Sequence, residues 1–496
     1  MTEELPSPSS QEQPHVVIVG GGITGLASAY YLQKRAKSSG TPLRYTLLEK
    51  STDMGGMIVS EKVGGFLIDG GPDCFLTRKP WGVSLCRELG LENELVGTND
   101  EQRKVYVLSG GRLRPMPEGL MLVVPTRFLP FATSPLISLP GKLRMALEPF
   151  IPPRSEDGDE TLASFMRRRL GEEALQKLAE PLLSGIYVSD PERLSLKSSF
   201  PRLLDLEQKY GSLTKGMIAA QRKAAAWRKE HGEPSLPMFV TLREGMQQLV
   251  EALEQHLDPS SVRTNQVVHS VTSLGDSVPS YLVELEDGQT LRADAVILTT
   301  SAKVSSRLLN ELDPALSQQL GSIRFTSTVV ITLGYPPQNG TPALDGFGFL
   351  VPETENRHIN ACTWTSTKFD HRSPDGHKLI RCFLGGPEKE ELLDWDDQAM
   401  INMARQELSE IMGLQAEPDM IRIFRWDKAH PQYDLGHMGR VEAIRQRASS
   451  HPGLALAGSS YDGVGVPDCI RQAKEAVERL EIPKIIKGER NDEDRA

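Results

Sequence analysis

His15-Val-Val-Ile-Val-Gly-Gly-Gly-Ile-Thr-Gly-Leu-Ala-Ser-Ala-Tyr-Tyr-Leu32 decides the fold. Val16 to Val19 form an unbroken apolar run, as in a buried parallel strand. Gly20, Gly22 and Gly25 follow at G-x-G-x-x-G spacing, and a helical pattern begins at once. The glycines have separate tasks. Gly20 makes the tight turn, Gly22 lets the backbone approach a pyrophosphate, and Gly25 lets the helix pack close on the strand. The helix start, with Gly21, Ile23 and Thr24, offers free N–H groups to phosphates. A second strand, Arg44 to Leu48, ends in Glu49 beside Lys50. An acid at that point holds a ribose hydroxyl. Strand, glycines, helix and acid in this order predict a dinucleotide-binding fold.

Two glycine pairs further along the chain narrow the dinucleotide. Gly55-Gly56-Met57 comes soon after Glu49. A Gly-Gly pair is unusual there in nicotinamide dehydrogenases and common in a large class of FAD oxidoreductases, whose chain passes close to the cofactor. Asp69-Gly70-Gly71-Pro72-Asp73 looks like the second flavin contact of that class, which makes Gly71, Pro72 and Asp73 candidates. Either pair alone reads equally well as a turn; after the fingerprint, cofactor contact is the expectation.

The 496 residues leave room for two or three domains, and 39% hydrophobic with 25% charged residues fits a globular protein. Residues 1–13 and 487–496 are polar or charged without a packing pattern and are expected to be disordered. No signal peptide and no bilayer-spanning stretch is expected. Five scattered cysteines fit a reducing cytoplasm and show no metal-ligand spacing, so no metal is expected. A net charge of −10 argues against nucleic acid as a partner. It leaves a small anionic substrate open, because such a ligand feels local charge.

The expected fold class is α/β. A Rossmann-like FAD-binding domain is assembled from residues 14–80, 239–304 and 427–483. A mainly helical substrate or lid domain (85–238) and an α/β substrate-binding domain (305–426) are inserted into it. Helices are expected at Leu162–Arg169, Glu172–Leu183, Leu213–Glu230, Leu242–Leu253 and Asp397–Met412. Strands are expected at Ser261–Val271 (holding the cofactor candidate Val268), Ala295–Thr300, Thr328–Leu333 and Lys378–Gly385, with a hairpin at Asp287-Gly288. Met116–Pro140 is apolar but broken by prolines. It reads as core or lid ahead of peripheral membrane contact, because little positive charge is clustered on it.

Near the C-terminus stands Ala457-Gly-Ser-Ser-Tyr-Asp-Gly-Val-Gly-Val-Pro-Asp-Cys-Ile-Arg-Gln-Ala-Lys-Glu-Ala-Val477. With Glu180-Pro-Leu-Leu-Ser-Gly-Ile-Tyr187, Leu194-Ser-Leu196, Gly71-Pro-Asp-Cys-Phe-Leu76 and Trp364, it resembles the porphyrinogen oxidases of the amine oxidase-like superfamily, in their Gram-positive form. The resemblance implies an FAD-dependent, six-electron oxidation of coproporphyrinogen III to coproporphyrin III. Oxygen would reoxidise the flavin, releasing hydrogen peroxide, in haem biosynthesis. Hand-over of the product to a later haem-pathway enzyme goes with it. The alternatives are protoporphyrinogen IX as substrate, an amine oxidase or carotenoid desaturase on the same scaffold, and a flavin-binding protein without catalysis.

Carried onto this chain, the resemblance makes Gly458, Gly465, Val466, Pro467 and Asp468 flavin contacts. The helix starting at Val466 would face the flavin's N1/C2 edge with its N–H groups. Trp426 is a candidate flavin neighbour, and Ile186 and Tyr187 are candidates for packing the macrocycle. Arg78 and Lys79 are candidate partners of the propionates. Arg167-Arg168-Arg169 reads as a solvated helix face ahead of a propionate-steering patch, and Cys469 as a small buried side chain. None of the ten histidines stands out as a general base. Asp53 and Gly70 depart from the family's usual basic and bulkier residues.

Overall fold

The computed structural model describes residues 13–40, 42–154, 158–232, 236–275, 280–337 and 342–480. Both terminal stretches expected to be disordered lie outside them, apart from residue 13. The opening strand, His15–Val19, is buried at every position. It sits third in a five-stranded parallel sheet: Val262–Arg263, Arg44–Leu48, His15–Val19, Ala295–Leu298, Leu454–Leu456. Segments distant in sequence supply these strands, so the sheet closes only when the chain has returned twice. The helix Ile23–Ser39 follows the glycines directly, and its apolar face packs into one core with the C-terminal helix Val466–Arg479.

A second sheet of seven strands lies beyond it. Its order is Met420–Pro431, Phe325–Tyr335, Lys378–Gly385, Ile359–Trp364, Gly348–Leu350, Val105–Leu108, Leu113–Pro115. Phe325–Tyr335 is buried at all eleven positions. This sheet joins strands from the two stretches expected as separate domains, 85–238 and 305–426, and runs past 426. Val105–Leu108 pairs in parallel with Gly348–Leu350, and Met420–Pro431 runs past Trp426. Short strands inside a mostly helical stretch lack the length to announce themselves by alternation.

Other segments also differ from expectation. Ser261–Val271 is two strands, Val262–Arg263 and Val268–Ser273, separated at Asn265, where φ is +54°. The stretch Glu172–Leu183 starts as an α-helix and widens into π-helical turns over Leu175–Ser184, with Pro181 inside. Arg167-Arg168-Arg169 is not a solvated face. Arg169 is fully buried and ion-paired with Glu148, and Arg168 holds Glu160 at 2.7 Å and Glu207 at 2.6 Å. Only Arg167 is exposed enough to fit the expectation, at 44%. The end of that helix abuts the start of Leu213–His231, whose free N–H groups at Leu213 and Thr214 also need Glu148. Met116–Pro140 splits. Val123, Val124, Phe131 and Leu136 are core, whereas Phe128, Leu129 and Leu139 are exposed, as are Leu143, Leu147 and Phe150 beyond them. Among the described residues no helix is long and apolar enough to cross a membrane.

Candidate active site

The fingerprint forms a cradle by hard contact. Gly20 has φ +107°, and the Thr299 hydroxyl donates to the carbonyls of Val19 and Gly20, both at 2.9 Å. A Cβ on Gly25 would sit 1.8 Å from the Gly20 carbonyl oxygen, so only glycine lets the helix this close. A Cβ on Gly22 would meet nothing within 4 Å, because it points into open space. Gly22 is the N-cap of the helix, and no side chain caps it. Gly55 bridges to Gly22, and the Gly55 N–H donates to the Gly21 carbonyl at 2.9 Å. Two glycine segments thus lie side by side at an uncapped helix start, the geometry that receives a pyrophosphate. Glu49 accepts from the Gly21 N–H at 2.6 Å and from the Ser51 N–H at 2.9 Å, which fixes its carboxylate at the strand end.

A cavity of about 1480 Å³ opens from this cradle. Its wall includes Gly20, Gly22, Ile23, Thr24, Glu49, Lys50, Gly55, Gly56, Met57, Gly71, Pro72 and Val268. It continues past Trp426 and Gly465-Val466-Pro467-Asp468 to Lys79 and Ile186. The remaining candidates stand behind the wall. Gly21 and Gly25 serve packing, and Gly458 has φ +133° beside Thr299. Arg78 is off the wall. Tyr187 is buried, donates to the Ser199 carbonyl at 3.1 Å and packs on Phe200 and Tyr433.

The turn at Gly70–Asp73 is anchored from below. Trp426 Nε1 donates to the Gly70 carbonyl at 3.0 Å, and Arg381 donates to that of Gly71 at 2.7 Å. The departure at Gly70 has a cause here: a Cβ would lie 2.5 Å from the Phe424 ring. Asp73 does not reach the cavity wall. It pairs with Lys368 at 2.8 Å and Arg381 at 3.3 Å. Burial works against its charge, but the Lys368 ammonium and the Arg381 guanidinium hold its carboxyl far below the usual range. Asp69, close by, pairs with Arg372 at 2.9 Å and accepts from Ser60 at 2.6 Å; burial pushes its carboxyl up.

The helix Val466–Arg479 starts with Gly465 as N-cap, Pro467 in its first turn and no side-chain cap. Asp468 therefore does not cap it. Its carboxylate is 8% exposed and holds Lys79 at 2.5 Å. Cys469 is buried, and burial pushes its thiol up to about 11, so it is an unreactive group.

The far end of the cavity lies on strands expected in the substrate-binding segment, Thr328–Leu333 and Lys378–Gly385 among them, but none of its residues was a site candidate. Val330, Phe383, Ala361 and Leu350 of the seven-stranded sheet form an apolar floor. Thr328 and His430 put a polar pair on it, hydrogen-bonded at 2.8 Å; burial lowers the imidazole to about 4, so it is neutral. Lys389 and Lys428 stand at the same end. All but Lys389 come from strands, whose apolar patterns report burial and not a cavity, so no local sequence signal marks them. Among the described residues no group of three or more His, Cys, Asp or Glu is placed to hold a metal ion.

Residues 23–480 match the family model described as flavin containing amine oxidoreductase. The chain belongs to that family. It is a flavin-dependent oxidoreductase, and its cofactor is FAD; the uncapped helix starts, the open space at Gly22 and the paired glycine segments all fit such a group. Among curated relatives, the chain is similar to the coproporphyrinogen III oxidase of Bacillus subtilis (strain 168), 40% identical over 94% of this chain and 98% of that one. The coproporphyrinogen III oxidase of Staphylococcus aureus is 33% identical over 94% and 98%. A crystal structure from Exiguobacterium sp. 255-15, described as a "putative protoporphyrinogen oxidase", superposes with a TM-score of 0.83 at 32% identity, covering 95% of this chain and 99% of that one.

Proposed function

We propose that this flavoenzyme oxidises coproporphyrinogen III to coproporphyrin III, with oxygen as final acceptor and hydrogen peroxide as by-product, in haem biosynthesis. One observation carries the reading: a single cavity joins the nucleotide cradle to a broad apolar floor in a chain 40% identical to a coproporphyrinogen III oxidase. A tetrapyrrole is wide and apolar with acidic edges; the floor offers it an apolar face, and Lys389 and Lys428 stand on the same wall as Glu180, Glu353 and Glu388. A cytoplasmic location and release of the product to a later haem-pathway enzyme accompany this reading.

Bound flavin supplies a two-electron acceptor that oxygen regenerates. The chain's own residues do the rest. The Gly22 helix start and the Gly55-Gly56 segment bind the pyrophosphate, and Glu49 holds the ribose. The turn Gly71-Pro72 and the helix start at Gly465–Asp468, both on the cavity wall, would hold the ring. The N–H groups of that helix start, which no side chain caps, would stabilise negative charge on a reduced flavin bound there. Val330, Phe383 and Ile186 exclude water from the macrocycle.

Protoporphyrinogen IX is the second reading, and one contact favours it. Lys79, the candidate for a propionate, is engaged with Asp468, which leaves less cationic charge for a four-carboxylate substrate. The test is anaerobic mixing of the purified yellow protein with each porphyrinogen. Loss of the flavin absorbance and growth of porphyrin fluorescence with the copro-substrate support the proposal. Reduction by the proto-substrate alone selects the second reading, and reduction by neither rejects both.

A further inference from the structure

The strand Met420–Pro431 falls out of step with Phe325–Tyr335 at one place. Thr326 pairs with His430, and Thr328 pairs with Trp426. Residues 427–429 therefore stand opposite Ser327 alone. Bulges beside a site re-aim side chains. Lys428, at the centre of this one, has φ +44°, a conformation that a non-glycine residue keeps only when its surroundings enforce it. Here the Lys428 N–H donates to Ser327 Oγ at 2.8 Å, and that hydroxyl donates to Asp427 at 3.0 Å. The consequence is a lysine on the cavity wall, between Trp426 and His430, at the edge of the apolar floor.

Three lysines of the cavity wall differ in where they are held. Lys79 has the buried Asp468 as its acceptor, at the helix start Gly465–Asp468 and away from the floor strands. Lys389 donates to the Arg357 carbonyl and to Asn360 Oδ1, both at 2.7 Å. Lys428 pairs with Glu390, its one acceptor among the described residues, and both are half-exposed. An ammonium has three donors. The other two have no protein acceptor among the described residues, and the half-exposed side chain belongs to a residue of the cavity wall.

We propose that Lys428 binds a carboxylate of the substrate and sets the preference for the more acidic porphyrinogen. Glu390, which also accepts from the Thr326 hydroxyl at 3.1 Å, holds the ammonium in place until the substrate arrives. The proposal rests on the coproporphyrinogen reading above and deepens it: the bulge turns a strand residue into a specificity residue.

The test compares holoenzymes carrying Lys428→Gln, Lys428→Arg and Glu390→Gln, with flavin absorbance as the check on folding. Lys428→Gln lowers kcat/KM for coproporphyrinogen III about tenfold or more, the scale of one charge-assisted contact. The loss is mainly in KM and is smaller for protoporphyrinogen IX, so the ratio between the substrates falls. Lys428→Arg restores most of it. An equal loss on both substrates, or none, overturns the proposal. If Lys428→Gln fails to hold FAD, Glu390→Gln carries the test: freeing the ammonium lowers KM for the copro-substrate, and an unchanged KM overturns the assignment. A wild-type enzyme that oxidises neither porphyrinogen overturns the functional reading itself, and this proposal with it.

Discussion

The two ends of the cavity are built by different means. At the cradle end, function rests on backbone. Glycines bring main-chain atoms within van der Waals contact, and N–H groups at helix starts point outward. At the floor end, function rests on side chains from four strands and a bulge, with charges held in pairs. Backbone machinery needs a particular residue at a particular place, and glycine is the residue with no substitute. Side-chain machinery tolerates many solutions. The cradle should therefore break completely under single changes, and the floor should be tuned by them.

The largest expected effect separates two neighbouring glycines. Gly25→Val puts a side chain where Gly20's carbonyl already stands, 1.8 Å from its Cβ. It should yield no soluble flavoprotein. Gly22→Val points into open space and should fold with near-normal thermal stability, yet purify without FAD. Flavin content and a melting curve check both. A folded, yellow Gly22→Val protein would remove the cradle from cofactor binding.

That contrast also explains how much was legible in the sequence. The strand Val16–Val19, the glycine spacing and Glu49 are local and ordered, and they sufficed for a Rossmann-like fold and its nucleotide end. The helices Leu162–Arg169 and Asp397–Met412 were legible to the residue, because their periodicity is clear and they are capped by Thr161 and Asp396. Arg169 was not, since its burial depends on Glu148, which the fold brings beside it from a separate turn. Nor were Lys428 and His430. A bulge arises from the pairing of two strands, and neither strand shows it alone. The charge on Lys79 was legible; its neutralisation by Asp468, hundreds of residues away, was not.

Between cradle and floor lies the buried cluster of Asp69, Asp73, Lys368, Arg372 and Arg381. Lys368→Met leaves Asp73 with one cation instead of two. Removing one partner of a buried pair costs about 3–5 kcal/mol, and the denaturant midpoint should drop accordingly. Adding Asp73→Asn should recover part of the loss. A midpoint within error of wild type would mean that the cluster does not brace the Gly70–Asp73 turn.

A smaller effect comes with acid. Burial lowers His437 and His430 from the ordinary 6.5 to about 4. The unfolded chain then binds more protons than the native one below that ordinary value. Their contribution is fully present above pH 6.5 and is lost as pH falls toward 4. The melting temperature should decline across that window, and His437→Asn should flatten the decline from a lower start. A steeper decline in the variant would contradict the assignment.

The smallest expected effect is at the surface. Leu143 is 61% exposed, and Leu143→Gln should move stability within about 0.5 kcal/mol, with kcat/KM unchanged. A larger loss would mean that the exposed leucines pack on something in solution.

The central claim is that the cradle and the floor serve one reaction on a tetracarboxylate macrocycle. It is tested most directly by the ratio of kcat/KM for coproporphyrinogen III to that for protoporphyrinogen IX, measured on the purified flavoprotein in air through porphyrin fluorescence. A ratio well above one is expected, and a ratio below one would contradict the account.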